Sequence, residues 1–128
     1  MSLAAAAASL AAAGGLVAAA PTAKVTLTAP THKPKVNTHW NYSVTVTSGG
    51  KPAAAKLTVA IVDPLGTAHP VQFGKSTKYV TNWPFKGTFK DFVIWPSDSA
   101  VGLPLVFRVT VVAGPTKKVI GYTVTPKR

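Results

Sequence analysis

The chain has no cysteine, only three acidic residues (Asp63, Asp91 and Asp98) and a single methionine, Met1. Without thiols there are no disulfides, no thiol nucleophile and no zinc–cysteine site. Paired-carboxylate hydrolysis needs two well-placed acids flanking one bond. Here each acid has a structural reading: Asp63 opens a turn, Asp91 falls on the polar face of a strand, and Asp98 sits in a turn or cap. The nucleophile elbow G-x-S-x-G, the phosphate loop and the dinucleotide fingerprint are all missing. These absences argue against an enzyme and against a cofactor.

Charge is also missing from Leu3 to Ala20, a stretch dominated by Ala with Leu10, Leu16 and Val17 as its larger apolar groups. Residues 1–20 read as a secretion signal or apolar leader, although no positively charged region precedes them. Val17-Ala18-Ala19 places small or β-branched residues where a signal peptidase wants them, so cleavage is expected after Ala19. A membrane anchor is the rival reading. Ala and Gly contribute weakly to insertion, so no stable membrane insertion is expected once the leader is cleaved. A secreted or extracytoplasmic location follows, with cell-wall association as one form of it. Residues 21–128 make one domain, long enough to hold itself by core burial without staples.

What is present after residue 20 is positive charge. Fourteen Lys and Arg against three acids give a net charge of +11, and twelve of the fourteen are Lys. Such an excess attracts polyanions. Specific base reading favours Arg with its bidentate fork, so loose affinity for an anionic polymer or glycan is expected rather than specific nucleic-acid recognition.

Segment after segment alternates with a period of two between Gly and Pro punctuation. Seven strands are expected: Lys24–Thr28, His39–Thr47, Lys56–Asp63, Ala68–Phe73, Phe89–Trp95, Leu105–Val112 and Lys117–Thr125. In the second, Trp40, Tyr42, Val44 and Val46 share one face; in the third, Leu57, Val59 and Ile61 do. Asp63-Pro64-Leu65-Gly66 has the chemistry of a type I turn, and Pro70 restricts the returning strand to an edge or a bulge. Ser97 to Gly102 suits a single helical turn capped by Ser97. With no long helix and regular turn signals, the fold class is an all-β, antiparallel β-sandwich of immunoglobulin-like type. Trp40, Tyr42, Phe107 and Tyr122 supply much of its bulk.

The run Thr45-Val46-Thr47-Ser48-Gly49-Gly50-Lys51-Pro52-Ala53-Ala54-Ala55-Lys56-Leu57-Thr58-Val59 resembles the strand, "GKP" turn and strand of bacterial immunoglobulin-like repeats. Gly87-Thr88-Phe89, a turn ending in Gly102 and Phe107-Arg108-Val109-Thr110-Val111 continue the likeness, which spans roughly residues 40–113. The resemblance implies an extracellular module used as a spacer, adhesin or accessory domain, and carries over no catalytic residue. The layout also resembles small periplasmic copper-handling sandwiches. Those need Met, His or Cys ligands, whereas here the only Met is Met1 and His32, His39 and His69 stand apart, so no metal is expected.

One segment invites a ligand. From Phe73 to Trp95, Lys75, Lys78, Lys86 and Lys90 interleave with Phe73, Tyr79, Trp83, Phe85, Phe89, Phe92 and Trp95. Aromatic faces stack on sugar rings, and lysines neutralise phosphate or carboxylate. Asn82-Trp83-Pro84-Phe85 reads as irregular chain, so Trp83, Phe85, Lys78 and Lys86 are the candidate binding residues. The structural alternative places Trp83 and Phe85 over the open edge of the sandwich. His32, Lys33 and Lys35 form a smaller basic loop expected to be solvated. Two functions remain in play: a non-catalytic module that binds an anionic envelope polymer or glycan, and a spacer or assembly subunit that pairs through exposed strand edges. Neither assigns an oligomeric state.

Overall fold

The computed structural model describes residues 22–95 and 100–128. The leader, the Ser97 cap and Asp98 lie outside the described residues. Nine strands run in chain order among them: β1 (Lys24–Thr28), β2 (His39–Ser48), β3 (Lys51–Pro52), β4 (Ala54–Val62), β5 (Ala68–Pro70), β6 (Trp83–Lys86), β7 (Thr88–Ile94), β8 (Leu105–Ala113) and β9 (Thr116–Val124). The seven expected strands are all present; β3 and β6 are additional. Among the described residues no helix is long and apolar enough to cross a membrane.

The strands form two antiparallel sheets. In the first, β2 pairs with β1 on one flank and with β7 and the two-residue β3 on the other. In the second, β8 lies between β4 and β9, while β5 and β6 share the remaining flank of β4 end to end. The packing is dictated by alternation: Trp40, Tyr42, Val44 and Val46 of β2 are buried, as are Leu57 and Val59 of β4 and Leu105, Phe107, Val109 and Val111 of β8. Each fully buried Val or Leu stabilises such a core by about 1.5–3 kcal/mol. At its centre the Trp40 ring meets Phe107 and Trp95 edge-on at centroid distances of 4.9 and 5.5 Å, and Tyr42 meets Phe107 at 4.8 Å. The Trp40 indole N–H donates to the Thr31 carbonyl at 2.9 Å, which satisfies the one polar group of that ring.

The Asp63 turn forms as its chemistry demands. The Gly66 N–H donates to the Asp63 carbonyl at 2.9 Å, and Gly66 takes a φ of 87° that a side chain would resist. The Asp63 carboxylate accepts the N–H groups of Leu65 and Thr67 and contacts His69 Nε2 at 2.8 Å. The His69 contact, then those backbone donors, hold its carboxyl below the usual range.

Three expectations are corrected. The loop at His32 and Lys35 is not merely solvated. His32 stacks flat on Tyr122 at 4.0 Å with its Nδ1 2.6 Å from the Thr123 carbonyl, and Lys35 bridges in parallel to Lys127. The C-terminal residues thereby run along the β1–β2 connection: Thr125 N–H donates to His32 O, Lys127 N–H to Pro34 O, and Val36 N–H to Lys127 O. Asp91 is not on the polar face of β7, because the register sets it opposite buried Tyr42, on the inner side of the sheet. The strand expected to run to Phe73 ends at Pro70, where the chain leaves the sheet.

Candidate functional site

Beyond Pro70 the chain forms a small finger. Val71 N–H donates to the Val59 carbonyl and Val59 N–H to the Val80 carbonyl, so the base of the finger is sewn to β4 between β5 and β6. Val80 N–H to Val71 O, a Gln72–Tyr79 bridge and Phe73 N–H to Lys78 O zip its two arms, and Ser76 N–H to Phe73 O closes the tip. The finger leaves the second sheet and reaches the first. Its Gly74 N–H donates to the Asp91 carboxylate of β7, 3.1 and 3.2 Å from the two oxygens.

Beside the finger lies an open groove of about 860 Å³. Its floor is the outer face of the first sheet, where Asn41 pairs with Phe92 and Ser43 with Lys90. One end is bounded by Thr28, Ala29 and Pro30 as β1 departs; the other by Phe73, Lys75, Ser76 and Lys78 of the finger, with Trp83 beyond. Among the described residues three lysines, Lys75, Lys78 and Lys90, line it against one acid, Asp91. Phe92 is covered by His39, whose ring stacks on it at 4.0 Å and 6°.

The four sequence-derived candidates separate. Trp83 and Lys78 line the groove; Phe85 and Lys86 do not. Trp83 and Phe85, expected in irregular chain, belong to β6, paired with Leu57 and Ala55. That register turns both toward the interior. Phe85 is half-buried and packs on Phe89 at 5.9 Å, whereas Trp83 keeps 39% of its surface exposed and sets its ring edge-on to Phe73 at 4.8 Å. Lys86 is exposed at the end of β6. Lys75 and Lys90 belong to the same aromatic–lysine segment of the sequence, yet nothing local marks them above its other lysines. The alternation of β7, with Phe89 inward and Lys90 outward, is the signal that places Lys90 on the groove floor.

Chemically the groove offers ammonium groups, an indole and hydroxyl or amide side chains. The three histidines are dispersed: His32 on Tyr122, His39 on Phe92 and His69 on Asp63. Among the described residues no three His, Asp or Glu side chains gather to hold a metal ion. Two buried polar atoms, Tyr42 Oη and Trp95 Nε1, have no partner among the described residues. Burial, and secondarily the Asp91 charge, push the Tyr42 phenol above its ordinary range, so it stays neutral. No family model matches this chain, and no curated protein is detectably similar to it.

Proposed function

We propose that this domain is a secreted, non-catalytic interaction module that holds an anionic envelope polymer or glycan in the groove between the finger and the first sheet. The observation that carries the reading is the convergence of Lys75 and Lys78 from the finger and Lys90 from β7 beside the partly exposed Trp83. Lysine is a point charge that suits spaced phosphates or carboxylates without demanding a fixed geometry. An indole face suits the apolar side of a sugar ring. The strand order, with β1, β2 and β7 in one sheet and β4, β8 and β9 in the other, is that of an antiparallel β-sandwich, which presents the groove on the outer face of one layer.

Titrating the protein with inorganic polyphosphate and with polygalacturonate, across a salt series, tests the groove and separates phosphate from carboxylate ligands. The double variant Lys75→Gln, Lys78→Gln should lose affinity and flatten the dependence of log K on log salt by roughly one to two units, as two counterion-releasing contacts vanish. An unchanged slope would move the contacts elsewhere on the surface. The spacer reading has its own surface, since β1 pairs with β2 and no described strand pairs with its other flank. It calls for concentration-dependent oligomers in light scattering, against the mutual repulsion of chains carrying +11.

A further inference from the structure

We propose that Asp91 is the positioning residue of the groove: its carboxylate holds the lysine-bearing finger against the first sheet, so an acid lining an anion site strengthens that site. This inference rests on the polyanion reading of the groove. A carboxylate among three lysines would otherwise weaken attraction for an anion. Both Asp91 oxygens, however, are engaged by the Gly74 N–H, at 3.1 and 3.2 Å. Gly74 is the point where the finger meets the first sheet, and the fit is close. A Cβ added there would lie 2.6 Å from two atoms of the Phe92 ring and 2.7 Å from a third. His39 already stacks on one face of that ring at 4.0 Å, so a shift of Phe92 would disturb that stack as well. Gly74 has no left-handed φ, so space rather than backbone conformation requires glycine at this position.

Fixing Gly74 fixes the rest. Phe73 N–H to Lys78 O at 2.9 Å and Ser76 N–H to Phe73 O at 3.2 Å make the tip a closed loop, so Lys75 and Lys78 move with it. Phe73 in turn supports Trp83 at 4.8 Å. One carboxylate thus sets two of the three lysines and the indole.

The sign of a single substitution separates this role from a purely electrostatic one. Asp91→Ala raises the net charge by one. If Asp91 only opposes anions, polyphosphate binding tightens; if it positions the finger, binding weakens, by about tenfold for loss of a charge-assisted hydrogen bond. Gly74→Ala, which leaves the charge unchanged, should weaken binding in the same direction. Asp63→Asn, which removes an acid outside the groove, should not weaken it. Amide exchange at Gly74 in the full chain gives the second readout and should accelerate at least about tenfold in Asp91→Ala. Asp91→Asn, which keeps the shape and one acceptor, guards against misfolding and should fall between. Tighter or unchanged binding in Asp91→Ala with unaltered Gly74 exchange would overturn the proposal. If wild-type protein fails to bind polyphosphate and polygalacturonate, the polyanion reading falls and the site role of Asp91 with it. Gly74 exchange would still show whether the carboxylate holds the finger.

Discussion

Tyr42 and Asp91 face each other across β2 and β7, and each carries a polar group that its position does not suit by itself. The Tyr42 hydroxyl is buried with no partner among the described residues, a group whose desolvation is uncompensated. Its phenol is held above the ordinary range by burial first and by Asp91 second. The consequence for stability has a definite sign. The unfolded chain releases the phenolic proton above about pH 10 while the folded chain keeps it, so stability falls as pH rises past that point. Tyr42→Phe should therefore be neutral or stabilising by up to about 1 kcal/mol near neutral pH, and should lose less stability in alkali. Urea denaturation of both proteins at neutral pH and above pH 10 checks this; an alkaline loss equal in the two would contradict it. At the same scale the sequence discloses part of the picture. Clean alternation along its strand turns Tyr42 inward, whereas charge alone argues for an outward Asp91. Register, which the alternation of Phe89 and Val93 implies, overrides that intuition. Gly74 is unreadable in the sequence because its reason is Phe92, about 18 residues away.

Among the elements, β2, β4, β8 and β9 are readable within one or two residues at each end, because each is long enough for a period of two to show. The exceptions are instructive. β6 is four residues with Pro84 in its middle, entered from Asn82 at a φ of 47°, so both its composition and its approach look like a loop. It forms because Ala54 to Leu57 of β4 offer a free flank. The finger between β5 and β6 carries no alternation of its own; the bonds that zip its two arms and those that tie it to Val59 and Asp91 define it. The C-terminal residues, too, read in the sequence only as the finish of β9, yet they clamp the β1–β2 connection. Removing residues 125–128 breaks the bonds to His32, Pro34 and Val36 and the one from Gly102 N–H to Pro126 O. At about 0.5–1.5 kcal/mol each, the loss should be about 2–6 kcal/mol, read as a lowered midpoint in urea. A truncated chain with an unshifted midpoint would show that this clamp contributes nothing.

For the whole molecule, the division into two antiparallel sheets follows from composition and turn spacing, because a chain without cysteine or long helical patterns has few other ways to bury the 21 apolar side chains buried among the described residues. Function is harder to read, since binding depends on which lysines converge, and convergence is a property of tertiary structure. The +11 charge is spread over the domain, but the groove concentrates three lysines next to an accessible indole. A general electrostatic attraction and a built groove differ in how they respond to salt and to one aromatic ring. The most direct measurement is retention of the wild-type protein and of Trp83→Ala on isolated bacterial cell walls across a salt series. The variant should stay folded at a cost of about 1–2 kcal/mol, since Trp83 is partly exposed and loses one edge-on ring contact. The groove account predicts wild-type retention that persists in part at high salt and drops for the variant. Retention abolished by moderate salt, and identical in the two proteins, would contradict it.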